Sequence, residues 1–558
     1  MRRHLVIGTI IVTTAAGLVA CSGPAKTTGC RGLTIAAAPD IAPALAGAAA
    51  RFDGTEVGGH CVRVRIDPRA PAQAADGLSG TVEDPAAAAP DVWVPDSSLW
   101  IPVARRTPQG TAGVTATGTS LASSPVVWAM PAEAARALAG QGAKASWKSL
   151  IPAQVQVPAA ARGPRFTLPE PAANTAGLAS LLAVHPLAGS GQAGLLRYAT
   201  AMLAFRQLAV KDTAAVYAAL DAAKGKPVIA VTTEQSVAGH NQGQGASPVV
   251  AAYPVEGTIM LDYPYVVTTR DRDRARAAAA FRATLGDTAT TAALSRLGFR
   301  APDGTAGPGL DRGAGVDPAP PRRLTPLDAA TTAKIRKMWN RIRLGARLLD
   351  VMDVSPSMGE TVPGTETARI DALSRQIQQS FALTPDFVEI GMWEFSTRLK
   401  GKRDYRVVAP IRRMGATVGG TRQRDLLLEA VTGAKPEEGT YTGLYDTVLA
   451  AFREVSRDYR PDVYNVVTVF TDGVNNDPYG GLELSGLLRT LKREYDPKRP
   501  VNIVIGAYGP GNDVGPLRDI AKATGGQVYL SQTPREAERI FRDLLVRMLC
   551  TGSECPVS

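Results

Sequence analysis

Residues 347–358 read Arg-Leu-Leu-Asp-Val-Met-Asp-Val-Ser-Pro-Ser-Met, a largely apolar strand (Arg347 to Met352) that runs straight into a D-x-S-x-S loop, Asp353 to Ser357. Two further segments follow in order. Thr442-Gly443-Leu444-Tyr445-Asp446 opens a helix, and Val466-Val467-Thr468-Val469-Phe470-Thr471-Asp472-Gly473 is a β-branched strand ending on a carboxylate. Together they supply an oxygen-only ligand set at strand ends. Alternate residues of an extended loop face the same way, so Ser355 and Ser357 can reach one point. Asp353 and Asp472 bring charge, directly or through water, and Thr442 adds a hydroxyl from another loop. Mg²⁺ wants near-octahedral oxygens at about 2.0–2.1 Å and keeps its waters, which suits small hydroxyls with one or two carboxylates; Mn²⁺ and Ca²⁺ are the alternatives. Three neutral hydroxyls leave the ion incompletely neutralised. A partner's carboxylate can complete the shell, so the pattern fits a binding switch better than a hydrolytic centre.

Around these segments, strands and amphipathic helices alternate for about 200 residues, as a doubly wound α/β sheet demands. The constellation closely resembles the metal-ion-dependent adhesion site of von Willebrand factor type A (VWA) domains. That resemblance implies Ser355, Ser357 and Thr442 as direct ligands, with Asp353 and Asp472 acting directly or through water. One position departs from it: Pro356 stands where the family often has glycine. Proline fixes φ and removes a donor, so the resemblance leaves loop geometry and metal affinity open to change.

Upstream, residues 302–321 hold five prolines and five glycines with no aromatic residue and no period of 2 or 3.6, which marks a linker. The expected organisation is a signal peptide (1–20), a tether (21–29), an N-terminal region (30–301), the linker (302–323), the C-terminal domain (324–550) and a tail (551–558). The N-terminal region repeats strand feeding helix, an α/β pattern expected to have largely parallel strands. The segments Pro90–Trp100 (PDVWVPDSSLW), Leu121–Ala129 (LASSPVVWA) and Tyr253–Val267 (YPVEGTIMLDYPYVV) resemble a type II extracellular solute-binding protein. The resemblance implies two lobes, residues 30 to about 122 with 268–301 and about 123 to 267, closing on a solute. Helix-start N–H groups and hydroxyls there would hold an anion or polar solute. Asp96, Ser97, Ser98, Ser123, Ser124, Asn174 and Thr175 occupy suitable turns, and each also suits helix capping, the preferred role of these residue types.

Met1 to Ala20 has two arginines and an apolar run from Leu5 to Val19, the regions of a secretory signal. Leu18-Val19-Ala20-Cys21 resembles a bacterial lipobox, which implies a diacylglyceryl-anchored Cys21 as mature N-terminus, held at the extracytoplasmic face of the cell membrane. The four other cysteines form an even set in an oxidising compartment. Three pairings are possible, and proximity along the chain selects Cys30 with Cys61 and Cys550 with Cys555.

The chain has 558 residues and a net charge of +11. That charge is spread: residues 21–320 carry 26 Lys and Arg against 22 Asp and Glu, and residues 321–558 carry 34 against 29. A nucleic-acid binder more often concentrates its excess in one stripe. Four histidines, no C-x-x-C, no G-x-S-x-G and no H-E-x-x-H argue against zinc, redox and hydrolase chemistries. The sequence therefore points to a non-enzymatic, lipid-anchored surface protein that binds a protein partner through a divalent cation. The alternative is a solute-capturing receptor of an ABC transporter with an accessory VWA domain.

Overall fold

The computed structural model describes residues 29–80, 89–151, 165–222, 228–243, 247–362, 364–384, 386–461, 463–473, 475–508 and 514–531. Cys21, Cys550 and Cys555 lie outside them. The elements that matter for function are, in chain order, β1 (Arg31–Ala37), α1 (Ala42–Phe52), β2 (His60–Pro68), β3 (Val92–Val94), β4 (Thr115–Ser120), β5 (Ser124–Pro131), β6 (Arg165–Pro169), α2 (Thr175–Val184), α3 (Gly191–Leu208), β7 (Val228–Thr233), β8 (Pro264–Val267), α4 (Ala329–Leu344), β9 (Ala346–Asp353), α5 (Arg369–Leu383), β10 (Glu389–Lys400), β11 (Arg403–Arg413), α6 (Leu444–Arg457), β12 (Tyr464–Thr471), β13 (Val501–Tyr508) and β14 (Val528–Ser531).

Two six-stranded sheets make the N-terminal lobes. The first runs Glu56–Val57, β2, β1, β3, β8, β4; the second runs Val249–Ala252, β5, β7, β6, Ala209–Val210, with Met260–Leu261 added against β5. β1, β2 and β3 are parallel, but β8 is antiparallel to both β3 and β4, and β5 is antiparallel to β7. The expected parallel character therefore holds for only part of each sheet, because the chain enters and leaves each lobe along strands that cross between them. The first crossing is at residues 121–123. The second falls at 262–263 rather than after Val267, because β8 pairs inside the first sheet. Tyr263 at this crossing has φ 41°, in the left-handed region that non-glycine residues seldom occupy. A disulfide joins Cys30 to Cys61 beside the start of β1.

The Pro/Gly-rich stretch does not hang free. Arg300, wholly buried, forms a bidentate pair with buried Glu234 (2.7 and 2.8 Å) and donates to the carbonyls of Gly304 (3.1 Å), Asp317 (2.6 Å) and Pro318 (3.2 Å). Leu310 and Val316 bury against β5 and β7 residues Val127, Ala129 and Ala230. One guanidinium thus satisfies carbonyls that a segment poor in regular structure would otherwise leave unpaired. α4, placed by sequence in the C-terminal domain, also packs into the N-terminal core, through Ile335, Met338, Trp339 and Ile342. Its apolar residues recur at helical spacing and need a surface to cover, and the lobes provide it.

The C-terminal sheet runs β11, β10, β9, β12, β13, β14, parallel except for the edge strand β11. β9 is central and covered on both faces, which is why it reads as a nearly continuous apolar run. Leu349 and Val351 face one cluster with α6, while Met352 faces another with α5. Gly345, at φ 80°, turns α4 into β9 in one residue, and a Cβ there would meet the Phe387 ring at 3.2 Å. Asp350 lies inside β9, 7% exposed. Burial pushes its carboxyl up to about 7, against a hydrogen bond with Thr468 that lowers it. The folded chain therefore holds this proton well above the pH at which the unfolded chain releases it. The resulting stabilisation is complete below about pH 3.8 and is lost as pH rises through about 7. Thermal unfolding in metal-free buffer should show Asp350→Asn removing that decline from the pH profile.

Candidate functional site

The parallel order of β9 and β12 places their carboxyl ends side by side, and with them Asp353 and the residue after β12, Asp472. Asp353 is fully buried. Its Oδ1 accepts the Ser355 N–H (2.8 Å) and its Oδ2 accepts the Thr471 hydroxyl (2.6 Å), so the carboxylate is fixed from both sides. Ser355 then starts a 3₁₀ turn, Pro356–Gly359. Pro356 is its first residue, where the missing N–H is not needed and the fixed φ is favourable. The turn brings Ser357 Oγ within 3.1 Å of Ser355 Oγ and lets it donate to Asp472 Oδ1 at 2.9 Å. Asn475 and Asn476, which sequence reasoning passed over, stitch the Thr442 loop to the Asp472 loop. Asn475 Oδ1 accepts the Leu444 and Tyr445 N–H groups (2.9 and 3.0 Å), and the Asn476 N–H reaches the Thr442 carbonyl (2.9 Å). Arg369, at the start of α5, donates to Asp472 Oδ2 (2.7 Å) and pairs with Glu360 (2.8 Å).

The cleft residues divide. Asp96, Ser98 and Thr175 come together: Thr175 Oγ1 donates to Asp96 Oδ1 (2.7 Å) and accepts from Trp100 Nε1 (2.6 Å), while the Ser98 N–H donates to Asp262 Oδ1 (2.7 Å). Ser97 and Asn174 are caps, accepting from Leu99 and Ala176 N–H groups. Ser123 and Ser124 are frame residues; the first donates to the Ala301 carbonyl and the second accepts from the Gln235 N–H. The sequence reading missed Asp40, Asp262 and Tyr263, whose hydroxyl bonds Asp40. Burial, then the charge of Asp40, pushes the Asp96 carboxyl up to about 7, and burial raises Asp40 as well. Three carboxyl groups thus stand where helix-start N–H groups were expected to hold an anion, two of them pushed toward the neutral form by burial.

Sequence-family comparison supplies two matches: residues 33–300 match the family described as bacterial extracellular solute-binding protein, and residues 349–543 match the von Willebrand factor type A domain. The chain joins a solute-binding domain to a VWA domain. No curated protein matches it. Among solved structures it is similar to a von Willebrand factor type A protein from Catenulispora acidiphila (18% identity, TM-score 0.29), covering 37% of this chain and 43%, under half, of that one. It is also similar to a periplasmic thiamin-binding protein (14%, TM-score 0.41, covering 56% and 96%) and to iron-bound HitA from Pseudomonas aeruginosa (15%, TM-score 0.39, covering 55% and 99%).

Whether the VWA loops suit a divalent cation can be tested on their own geometry. Neighbouring oxygens of an octahedron with metal–oxygen distances of about 2.1 Å lie about 3.0 Å apart. The separations here are 3.1 Å between Ser355 and Ser357 and 2.9 Å between Ser357 and Asp472. Charge points the same way, since burial and then the nearby Asp472 push Asp353 up to about 6. A cation would relieve both effects. The residues fit the ion. A second group of acids, Asp404, Asp446 and Asp477, offers carboxylate oxygens within 4.8 Å of one another. Only Asp446 lay in a segment the sequence had singled out. These three accept N–H groups from Arg398, Leu482 and Tyr479.

Arg369 donates to Asp472, so it would compete with a metal for the same carboxylate. Calorimetric titration with Mg²⁺ should show binding lost in Asp353→Ala and tightened in Arg369→Met. Equal binding by Asp353→Ala and wild type would overturn the assignment of the ligand set.

Proposed function

We propose that this is a lipid-anchored, extracytoplasmic binding protein whose VWA domain holds Mg²⁺, or Mn²⁺ or Ca²⁺, through Ser355, Ser357, Thr442, Asp353 and Asp472 and grips a partner protein's carboxylate with it. The observation that carries this reading is the convergence of the Ser355, Ser357 and Asp472 oxygens, with successive separations of 3.1 and 2.9 Å, at adjacent strand ends. The extracellular character of the matched solute-binding family supports the location. In this reading the acylated Cys21 supplies the attachment; among the described residues no helix is long and apolar enough to cross a membrane. One matched family is named for solute binding, and the site would present a Lewis-acidic ion with an incomplete shell rather than a nucleophile paired with a base. Crosslinking and pulldown from intact cells should recover a partner with Mg²⁺ present. That partner should be lost with EDTA or in Ser357→Ala; recovery unaffected by either would sink the proposal.

A second reading, capture of a small solute for an ABC transporter, draws support from the lobed architecture and the buried polar lining at Asp96 and Thr175. The carboxyl lining favours a cationic or neutral solute. A thermal-shift panel should then contain a stabilising amine or metal cation and no stabilising anion.

A further inference from the structure

α4 lies across both lobes of the solute-binding domain. It packs on the short helix Ile101–Ala104 of the first lobe and on α2 and α3 of the second. Thr332, Ile335, Met338, Trp339 and Ile342 are all buried on it. Its polar contacts are divided in the same way. The Arg336 guanidinium sits 5.2 Å from the centre of the Trp100 ring, in the first lobe, close enough to Asp76 for that charge to act on it. Trp339 Nε1 donates to Glu170 Oε1 at 2.6 Å, and the Arg343 carbonyl accepts from Arg206 Nε at 3.0 Å, both in the second lobe. Beneath this helix the lobes already touch, through Trp100, Thr175 and Asp96.

We infer that α4 is an intramolecular strap that holds the two lobes closed, doing with the protein's own apolar surface what a bound solute does in a free two-lobed receptor. Any rotation about the crossings at 121–123 and 262–263 separates the first lobe's Trp100 from the second lobe's Glu170, and α4 is bound to both. Opening therefore requires α4 to leave at least one lobe, exposing Trp339 and its apolar neighbours to water. Because Gly345 alone separates α4 from β9, the strap is continuous with the strand that ends in Asp353. The closed lobes thus form a fixed base for the VWA domain.

The test uses the full chain, with donor and acceptor dyes attached to clickable residues replacing exposed Ala46 in the first lobe and Ala137 in the second. Wild type should give one short, narrow interlobe distance. Ile335→Asp combined with Trp339→Glu should shift it to a longer, broader distribution. Thr175→Val, which removes the Trp100 and Asp96 bonds across the cleft and leaves α4 intact, should leave the distance unchanged. Should the double variant unfold the lobes, seen as loss of the circular-dichroism transition of that domain, the milder Trp339→Phe, which removes the Glu170 bond and part of the buried ring, should still broaden the distribution. A wild-type distance in a folded α4 variant, or opening by Thr175→Val alone, would overturn the strap.

Discussion

The constraint on which the rest of the molecule depends is the burial of one face of a single helix, α4, against two lobes at once. Ile335, Met338, Trp339 and Ile342 are each worth roughly 1.5–3 kcal/mol when withdrawn from water. The direct bonds across the cleft, from Trp100 and Thr175, contribute about 1 kcal/mol apiece, because they replace bonds to water. Apolar burial therefore dominates the closure, and polar contacts set its register. The same helix fixes the C-terminal sheet, since its last turn passes through Gly345 directly into the central strand.

At the other end of that strand the physics is electrostatic. Asp353 sits in full burial beside another carboxylate, an arrangement tolerable only because Ser355, Thr471 and Ser357 donate to the pair and Arg369 adds a positive charge. The hydroxyls that satisfy the carboxylates are themselves potential ligands. The loops are held together by hydrogen bonds among the same oxygens that would surround an ion. The solute-binding domain places its acids differently. Asp40 and Asp96 are pushed up by burial and are held by Tyr263 and Thr175, which keeps the closed cleft from accumulating charge.

Legibility in the sequence followed locality. The D-x-S-x-S loop and Asp472 stood out because each sits at the end of a strand whose apolar run announces it. Cys30 and Cys61 were readable as a pair because only chain proximity was needed. Ser123 and Ser124 looked like cleft residues and proved to be frame, because their partners, Ala301 and Gln235, are more than a hundred residues away. The Pro/Gly stretch looked free because the charge that organises it, Arg300, lies just before it and is neutralised by Glu234 far upstream. Asp40 and Asp262 carried no local pattern that separates a cleft acid from a surface one.

By itself the sequence determined the α/β class and the two matched domains and suggested the oxygen ligand set, since periodicity and strand-end motifs are written within a few residues of each other. Only the tertiary structure decided on which domain α4 packs, that acids gather at the cleft, and that Arg369 bonds Asp472. Each of these depends on which surface an amphipathic face or a charge meets. A helix states by its spacing that it must be covered, and the partner that covers it is settled only when distant segments compete to bury the most apolar area without stranding a charge.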